Sequence, residues 1–227
     1  GFGNPLPEAM PLRDLRRRAF ELLNAEHRQL RDDKKLREQA MIPLSQANLQ
    51  VPIQPTAFVD FYSGINHASN VGKMFRPDQP PLLPNYRHLP IGYNGRASSV
   101  VQSGKGIIRP KGQTKAPDAD APTFGPTKEM DFELEMGFYV SHGIEMGKRI
   151  TVSKAEDHVL GLVIVNDWSA RDMQRWEYVP LGPFLAKSFA TSVSPWIVTL
   201  DALEPFRIAG LAQDPEPLPY LHHKGNK

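Results

Sequence analysis

Acidic residues stand in one part of the chain at spacings that could bring their side chains together. Glu133 and Glu135 are two positions apart among apolar neighbours, and Asp167 ends an apolar run that begins at Val159. Residues two apart in a β-strand lie on the same face, so both glutamates would point to one side. Carboxylates held that close repel one another unless a cation or a shared proton compensates them. A divalent metal is the simplest compensation, and oxygen ligands favour calcium, magnesium or manganese over zinc.

Two ordinary interpretations compete with a metal site. A Glu-x-Glu pair is most often a solvent-facing pair on a half-exposed sheet, and the spacing alone favours that interpretation. Asp167 changes the balance, because a carboxylate at the end of a buried strand needs a partner. Arg171 could be that partner in a plain ion pair. The pattern by itself therefore leaves a metal site and an ion pair about equally open.

Other polar residues stand where they could serve the same pocket. Histidine side chains titrate near neutral pH and suit a general base, which makes His67 a candidate, although a lone histidine is more often structural. Asp60, seven residues earlier, could reach the same pocket. Lys187 lies between apolar stretches, which favours a specific role over a surface charge. Three further donors suit a substrate that carries carboxylates or carbonyls: Arg171, Gln174 and Tyr178.

The N-terminal segment is predicted to be helical. Leucines recur near the 3.6-residue period from Pro11, which suits a first helical position, to about Ala40. Three consecutive arginines begin at Arg16, yet the first fifty residues hold nine basic and seven acidic side chains. A solvated helix face is therefore favoured over a nucleic-acid surface. Prolines after this segment predict a linker or domain boundary: Pro43, Pro52 and Pro55.

Strands and loops are predicted for most of the remaining chain. A strand end, a turn and a short helix through Phe75 are expected around His67. The apolar residues that alternate with the two glutamates, Phe132, Leu134 and Met136, are expected to point into a core. The clearest strands and a third candidate are Phe132–Val140, Val159–Val165 and Trp196–Leu200.

A short helix is predicted directly after Asp167. Ser169, followed three residues later by Asp172, matches a capping signature. Arg171 and Gln174 would then be neighbours on one face of this helix. That face begins close to the Asp167 carboxylate, so polar side chains that could select a substrate would be concentrated there.

Composition narrows the class of protein. The chain has 227 residues, 27 basic and 25 acidic side chains, and no cysteine. This balance argues against a nucleic-acid or polyanion binder, and the lack of cysteine excludes a disulfide framework, a zinc ribbon and a thiol nucleophile. No apolar run or secretory pattern suggests a membrane protein, so a cytoplasmic enzyme with a small-molecule ligand is expected. Because the chain starts at Gly1 and its last residues, 215–227, form no closing element, both ends are expected to be cut.

Five strings of residues are specific enough to compare with known families: Asp60 to Ser63 with His67, His88 to Ser99, Met130 to Met136, Asn166 to Asp172, and Gln174 to Ser188. Together they resemble the fumarylacetoacetase family over about residues 30 to 221. The resemblance implies a mainly β fold with short helices, a mixed β-sandwich roll of the fumarylacetoacetase C-terminal type, in residues 51–227. Residues 1–50 would be a linker and the helical remnant of an N-terminal SH3-like domain.

The resemblance also implies an activity. Members of this family hydrolyse a carbon–carbon bond of 4-fumarylacetoacetate, a diketo-diacid, to give fumarate and acetoacetate. This reaction is the last step of tyrosine and phenylalanine breakdown, and the family forms homodimers. The expected cofactors are Ca²⁺ and Mg²⁺.

Site residues follow from the same resemblance. Calcium would be held by four carboxylates: Asp60, Glu133, Glu135 and Asp167. A magnesium site is implied at Asp167, Lys187 and Thr191, with the lysine as a charged neighbour rather than a ligand. His67 matches the base that activates water, and oxyanionic charge would be stabilised by Arg171, Gln174 and Lys187. Substrate-binding positions match Tyr62, Arg76, Tyr93, Gln174 and Tyr178.

Two other interpretations stay open. A relative of the same superfamily could act on an acylpyruvate or a hydroxydienoic diacid, although Tyr62, Gln174 and Tyr178 argue against it. A truncated chain could instead bind metal without catalysing a reaction. The family's glutamate that orients the catalytic histidine, and a threonine that contacts substrate, would lie beyond Lys227.

Overall fold

Residues 12–223 are described by a computed structural model, and they divide into two units between Leu49 and Gln50. No helix in this part of the chain is long and apolar enough to cross a membrane. Between residues 12 and 49, the first unit contains three α-helices and one 3-10 turn: α1 Leu12–Leu23, α2 Arg28–Arg31, α3 Lys34–Ala40 and the turn Leu44–Gln46.

The prediction of one continuous helix from residue 11 to about 40 is wrong, and Pro11 itself lies outside the described residues. The side chain of Asn24 accepts a hydrogen bond from the Glu26 backbone N–H after α1 ends. Asp33 accepts one from the Leu36 N–H and caps α3. Short polar side chains offer the backbone alternatives to helical hydrogen bonds, which explains both interruptions.

The second unit is built mainly of short strands. Two of its small sheets are antiparallel pairs near the start of the unit. One pairs β1 (Val59–Phe61) with β2 (Gly92–Asn94), and the other pairs β4 (Lys111–Thr114) with β5 (Thr123–Pro126). Between β1 and β2 lies α4, the longest helix of this unit in the described residues. The bounds are β1 Val59–Phe61, α4 Ile65–Phe75, β2 Gly92–Asn94, β3 Val100–Gln102, β4 Lys111–Thr114 and β5 Thr123–Pro126, with 3-10 turns at Pro84–Arg87 and Ala97–Ser99.

A four-stranded sheet forms the centre of the second unit. Its strands follow the order β3, β10 (Thr191–Val193), β8 (Val159–Asp167) and β7 (Leu134–Val140). β3 runs parallel to β10, whereas the other neighbours are antiparallel. The remaining bounds are β6 Met130–Asp131, β7 Leu134–Val140, β8 Val159–Asp167, β9 Ser169–Ala170, α5 Arg171–Glu177, α6 Leu185–Ser188, β10 Thr191–Val193 and α7 Leu200–Leu203, with 3-10 turns at Val152–His158 and Glu204–Phe206.

Two small apolar clusters hold these elements together. One lies in the central sheet and consists of valines from β3, β8 and β10: Val100, Val163, Val165 and Val193. The other joins α5 to α6 through Ala170, Met173 and Ala186. The prediction of strands and short helices in this unit is confirmed, and the predicted strand Val159–Val165 extends to Asp167.

The predicted facing of β7 is wrong. Phe132, Leu134 and Met136 are 64%, 75% and 60% exposed, whereas Glu133 and Glu135 are the side chains that turn inward. Alternation along the strand is as expected, but its two faces are exchanged. The acidic face is turned inward because basic side chains meet Glu133 there, and charge pairing replaces apolar burial.

Two further predictions are corrected. Trp196–Leu200 is no strand: Val198 forms an isolated bridge with Leu162, and α7 begins at Leu200. Ser169 does not cap α5, because Ser169 and Ala170 pair with β6 as the strand β9. The hydroxyl of Ser169 donates to the Asp167 carbonyl instead.

We predict that Gly72→Ala destabilises the second unit. A Cβ at this position of α4 would lie 1.9 Å from the carbonyl oxygen of Pro81, so the backbone must shift. Overpacking of this kind costs about 1–3 kcal/mol, measurable as a lower urea midpoint with an unchanged slope. Gly106→Ala is the matched control, since its Cβ would meet nothing within 4 Å. Equal midpoints for the two variants would contradict the close packing of α4 against Pro81.

Candidate metal centre

Asp60 and Tyr93 face each other across the antiparallel pair of β1 and β2. They are Cα partners in the register of β1 with β2, so their side chains share one face. The Tyr93 hydroxyl lies 2.8 Å from Asp60 Oδ2 and 3.0 Å from Asp167 Oδ2. A phenol has a single proton to donate, so it cannot satisfy both carboxylates at once. The contact brings β1 and β2 to the end of the central sheet.

The other carboxylates come from two neighbouring strands. Glu135 lies on β7 opposite Val165 of β8, and Asp167 is the fully buried last residue of β8. Glu133 precedes β7, and its carbonyl accepts the Asp167 N–H at 3.1 Å. The β7–β8 register therefore determines the spacing of all three acidic side chains.

Three of the four predicted calcium ligands converge. One oxygen from each of Asp60, Glu135 and Asp167 lies within 4.8 Å of the others. Glu133 lies beside this group, with its oxygens directed at basic side chains. Thr191 of β10 is the Cα partner of Asp167, and its hydroxyl lies 3.4 Å from Asp167 Oδ1.

Basic side chains surround Glu133. Lys187 Nζ donates to Glu133 Oε2 at 2.5 Å and to Asp167 Oδ2 at 2.8 Å, although this lysine is only 4% exposed. Arg171 Nη2 lies 2.7 Å from Glu133 Oε1, and His67 Nε2 lies 3.5 Å from the same oxygen. The partner of Asp167 is thus Lys187, and the alternative of an Arg171–Asp167 ion pair is wrong.

Burial and charge divide the carboxylates into two classes. Burial raises the pKa of Asp60 to about 7, and the neighbouring Asp167 charge adds to the rise. Burial, followed by the charges of Asp60 and Asp167, raises the pKa of Glu135 to about 8. Burial also acts on Glu133, but the charges of Lys187 and Arg171 outweigh it and hold the pKa below its ordinary value. Glu133 is therefore compensated by the protein, whereas Asp60 and Glu135 are not.

The uncompensated carboxylates fit a divalent cation. They supply oxygen donors, the preferred ligands of calcium and magnesium, and their raised pKa values mark negative charge that Lys187 does not balance. A cation among Asp60, Glu135 and Asp167 would offset both causes of those raised pKa values, burial first and then the repulsion between the carboxylates. Lys187 cannot be a ligand while it is charged, and here it occupies hydrogen bonds to two carboxylates.

The remaining predicted site residues lie at varying distances from this centre. His67 is on α4, and its ring packs edge to face against Tyr62, with centroids 5.6 Å apart. Gln174 accepts a hydrogen bond from Arg171 at 3.0 Å, as the helical spacing predicted. Tyr178 packs against Phe75 rather than against the carboxylates. Arg76 ends α4, and its Nε is buried without a hydrogen-bond partner in the described structure.

Sequence reasoning missed two residues that shape the site. Asp131 Oδ2 accepts from Arg171 Nε at 3.0 Å, and the Asn166 side chain accepts from the Glu133 N–H at 3.3 Å. Asp131 continues the alternating acidic pattern toward the N-terminus, so the pattern itself could have revealed it. Asn166 directly precedes the buried aspartate but points to the opposite side of β8, and no sequence signal distinguishes it.

Comparison with known proteins gives a consistent result. Residues 56–212 match the family described as fumarylacetoacetate (FAA) hydrolase C-terminal, in agreement with the fold type expected for residues 51–227. The fumarylacetoacetase of Caenorhabditis elegans is 54% identical over 211 residues, 92% of this chain and 50% of that protein. The fumarylacetoacetase of Homo sapiens is 54% identical over 202 residues, 89% of this chain and 48% of that protein. The chain thus spans about half the length of the curated relatives it matches.

A solved structure is also similar. The fumarylacetoacetate hydrolase of the psychrophilic Exiguobacterium antarcticum is 23% identical, with a TM-score of 0.42, over 71% of this chain and 52% of that one.

We predict that the free energy of unfolding of the metal-free protein falls as pH rises from about 4 to about 8, because Asp60 and Glu135 lose protons over this range. Both carboxyls bind protons more tightly when folded, with pKa values of about 7 and 8. Between an unfolded value of about 4 and those values, the folded state holds more protons, so stability falls as pH rises. Urea unfolding in EDTA at pH 5 and pH 9 measures this fall.

Glu135→Gln should flatten that pH dependence and also weaken the stabilisation that added calcium gives. The amide carries no charge, so it removes the repulsion together with one ligand. Glu145→Gln, at an exposed acid, is the matched control. The assignment fails if both variants keep the wild-type pH dependence and the wild-type response to calcium.

Proposed function

The chain belongs to the fumarylacetoacetate hydrolase family, and from that membership we propose that it hydrolyses 4-fumarylacetoacetate to fumarate and acetoacetate. The proposal includes the last step of tyrosine and phenylalanine breakdown as its role, a cytoplasmic location and a homodimer. Residues 51–227 would be the metal-binding catalytic part, and residues 1–50 the tail of an N-terminal domain with a linker.

The arrangement around Glu133 is the observation that carries this proposal. Its carboxylate is contacted by Lys187, Arg171 and His67, so two cations and a candidate base lie beside the three converging carboxylates Asp60, Glu135 and Asp167. Hydrolysis of a 1,3-diketone needs a base for water and positive charge for the oxyanion that forms. Groups of both kinds contact the half-buried carboxylate of Glu133, which supports the proposal.

The proposed reaction accounts for each proton and electron pair. His67 takes a proton from water, and the hydroxide attacks the carbonyl carbon next to the fumaryl double bond. Arg171 and Lys187 favour the negative charge on the carbonyl oxygen. The tetrahedral centre then collapses, the bond to the methylene carbon breaks, and acetoacetate leaves as an enolate that takes the proton back from His67.

Asp60, Glu135 and Asp167, with Glu133 as the fourth predicted ligand, would hold a calcium or magnesium ion. When bound, the ion would supply positive charge for the oxygens of the diketone. Thr191 would support Asp167 from the neighbouring strand, as its 3.4 Å hydroxyl contact suggests.

Five side chains are proposed to bind the diacid: Tyr62, Arg76, Tyr93, Gln174 and Tyr178. Arg76 supports this role through its buried Nε, which finds no partner among the described residues and could donate to a carboxylate. Gln174 accepts a hydrogen bond from Arg171, which supports a role for its amide beside this proposed oxyanion-stabilising cation. Tyr93 would need to share its hydroxyl between substrate and the Asp60–Asp167 pair.

We predict that His67→Ala lowers kcat for 4-fumarylacetoacetate by about 10²–10⁴-fold, because general-base catalysis contributes on that order. Loss of the diketone absorbance measures turnover, and calorimetry with calcium should show metal binding retained, since His67 lies outside the three converging ligands. His142→Ala, at an exposed histidine stacked on His158, is the control.

Three outcomes discriminate the hypotheses. Calcium binding without any turnover by the unchanged chain would leave only a metal-binding fragment. Turnover of an acylpyruvate in preference to 4-fumarylacetoacetate would transfer the activity to another branch of the superfamily. Equal kcat for His67→Ala and His142→Ala would remove His67 from the role of base.

A further inference from the structure

Glu177 forms hydrogen bonds that the proposed reaction does not use directly. It is the last residue of α5, and its Oε1 accepts the backbone N–H groups of Phe184 at 2.8 Å and of Ala186 at 2.7 Å. Both amides belong to the head of α6, which begins at Leu185. Charge-assisted bonds of this kind are stronger than neutral ones.

The loop between these partners has little structure of its own to fix its end. Residues 178–184 contain Pro180 and Pro183, which lack an N–H, and Gly182 with a φ of +94°. One short hydrogen bond, from the Gly182 N–H to the Tyr178 carbonyl at 2.6 Å, closes the loop near α5. The Glu177 carboxylate binds the end of this loop, where the chain enters α6.

Lys187 is the functional side chain that this helix head positions. It follows Ala186 directly, its backbone N–H donates to the Phe184 carbonyl at 3.2 Å, and its ammonium reaches Glu133 and Asp167. Ala186 is fully buried against Met173 of α5, so α6 also packs on the helix that ends in Glu177.

One helix thereby positions both cations of the site. Arg171 stands at the first turn of α5 and contacts Glu133 directly, whereas Glu177 at the last turn acts through the α6 backbone. The helix α5 spans seven residues, so Arg171 and Glu177 are six positions apart at its two ends. Each end contacts the group that carries one of the two basic side chains bound to Glu133.

We propose that Glu177 is a positioning residue, which fixes the head of α6 so that Lys187 stays buried against Glu133 and Asp167. The catalytic consequence rests on the proposed function, but the placement of Lys187 does not. A displacement of about 1 Å of a group near the reacting atoms can cost about 10²-fold in rate, so the loss should fall on kcat rather than on KM.

Three substitutions separate acceptor geometry from charge. Glu177→Gln keeps an oxygen in the same place to accept both N–H groups, Glu177→Asp keeps the charge but withdraws the oxygen by one methylene, and Glu177→Ala removes the acceptor. Modification of lysines by an acetylating reagent, followed by peptide mass spectrometry, reports the accessibility of Lys187. The labelling rate of Lys105, on an exposed turn, corrects for reagent concentration and intrinsic reactivity, and the urea midpoint of each variant reports global opening.

We expect Lys187 labelling, relative to Lys105, to rise about tenfold or more in the Ala and Asp variants, because neither has an acceptor oxygen within reach of both backbone N–H groups. The Gln variant should stay near the wild-type rate, and kcat should follow the same order with KM little changed. Glu129→Ala, which removes a glutamate paired with Arg175 of the same helix, is the matched control and should leave Lys187 protected.

The proposal is overturned if Glu177→Gln exposes Lys187 as fast as Glu177→Asp, or if neither Ala nor Asp raises the relative rate. Should Glu177→Ala unfold, the Gln and Asp pair still decides. A wild-type chain that hydrolyses no diketone would remove the proposed function, while the labelling comparison would continue to test the role of Glu177.

Discussion

The buried ammonium of Lys187 is the charge on which the acidic end of the central sheet depends. It lies between Glu133 and Asp167, and a lysine so enclosed is stable only when anionic partners face it. Without it, carboxylates from β1, β7 and β8 would meet in the interior with little to oppose their repulsion. Three elements place this ammonium: β8 ends at Asp167, β10 pairs with β8 at that end, and α6 carries Lys187 to the two carboxylates.

The two classes of carboxylate that result have separate roles. Glu133 is neutralised by the protein and serves as the common contact of Lys187, Arg171 and His67. Asp60 and Glu135 are not neutralised in this way, and burial, followed by the charge of the neighbouring carboxylates, raises their pKa values. A site with both classes can hold a cation and present basic groups beside it, because the protein balances only part of the negative charge itself.

Some of this arrangement was predictable from sequence, and the limits have physical causes. The apolar run before Asp167 predicted a buried strand with a carboxylate at its end, and the spacing of Arg171 and Gln174 predicted their contact. Alternation in β7 defined two faces but not which one lies inside, because that depends on Lys187, 52 to 54 residues away along the chain from Glu135 and Glu133. Ser169 failed as a cap since its backbone pairs with β6, a long-range contact that a local motif does not report.

The exchanged faces of β7 also bear on how the chain behaves in solution. Within the described residues β7 pairs with β8 alone, so it is the edge strand of its sheet, and it carries Leu134, Met136, Phe138 and Val140 on an exposed face. A long edge strand with an apolar face lacks the charges or prolines that discourage intermolecular strand pairing. Among the described residues, the same inward turn that gathers the carboxylates therefore leaves an apolar face on an edge strand, the arrangement that favours pairing with a further strand.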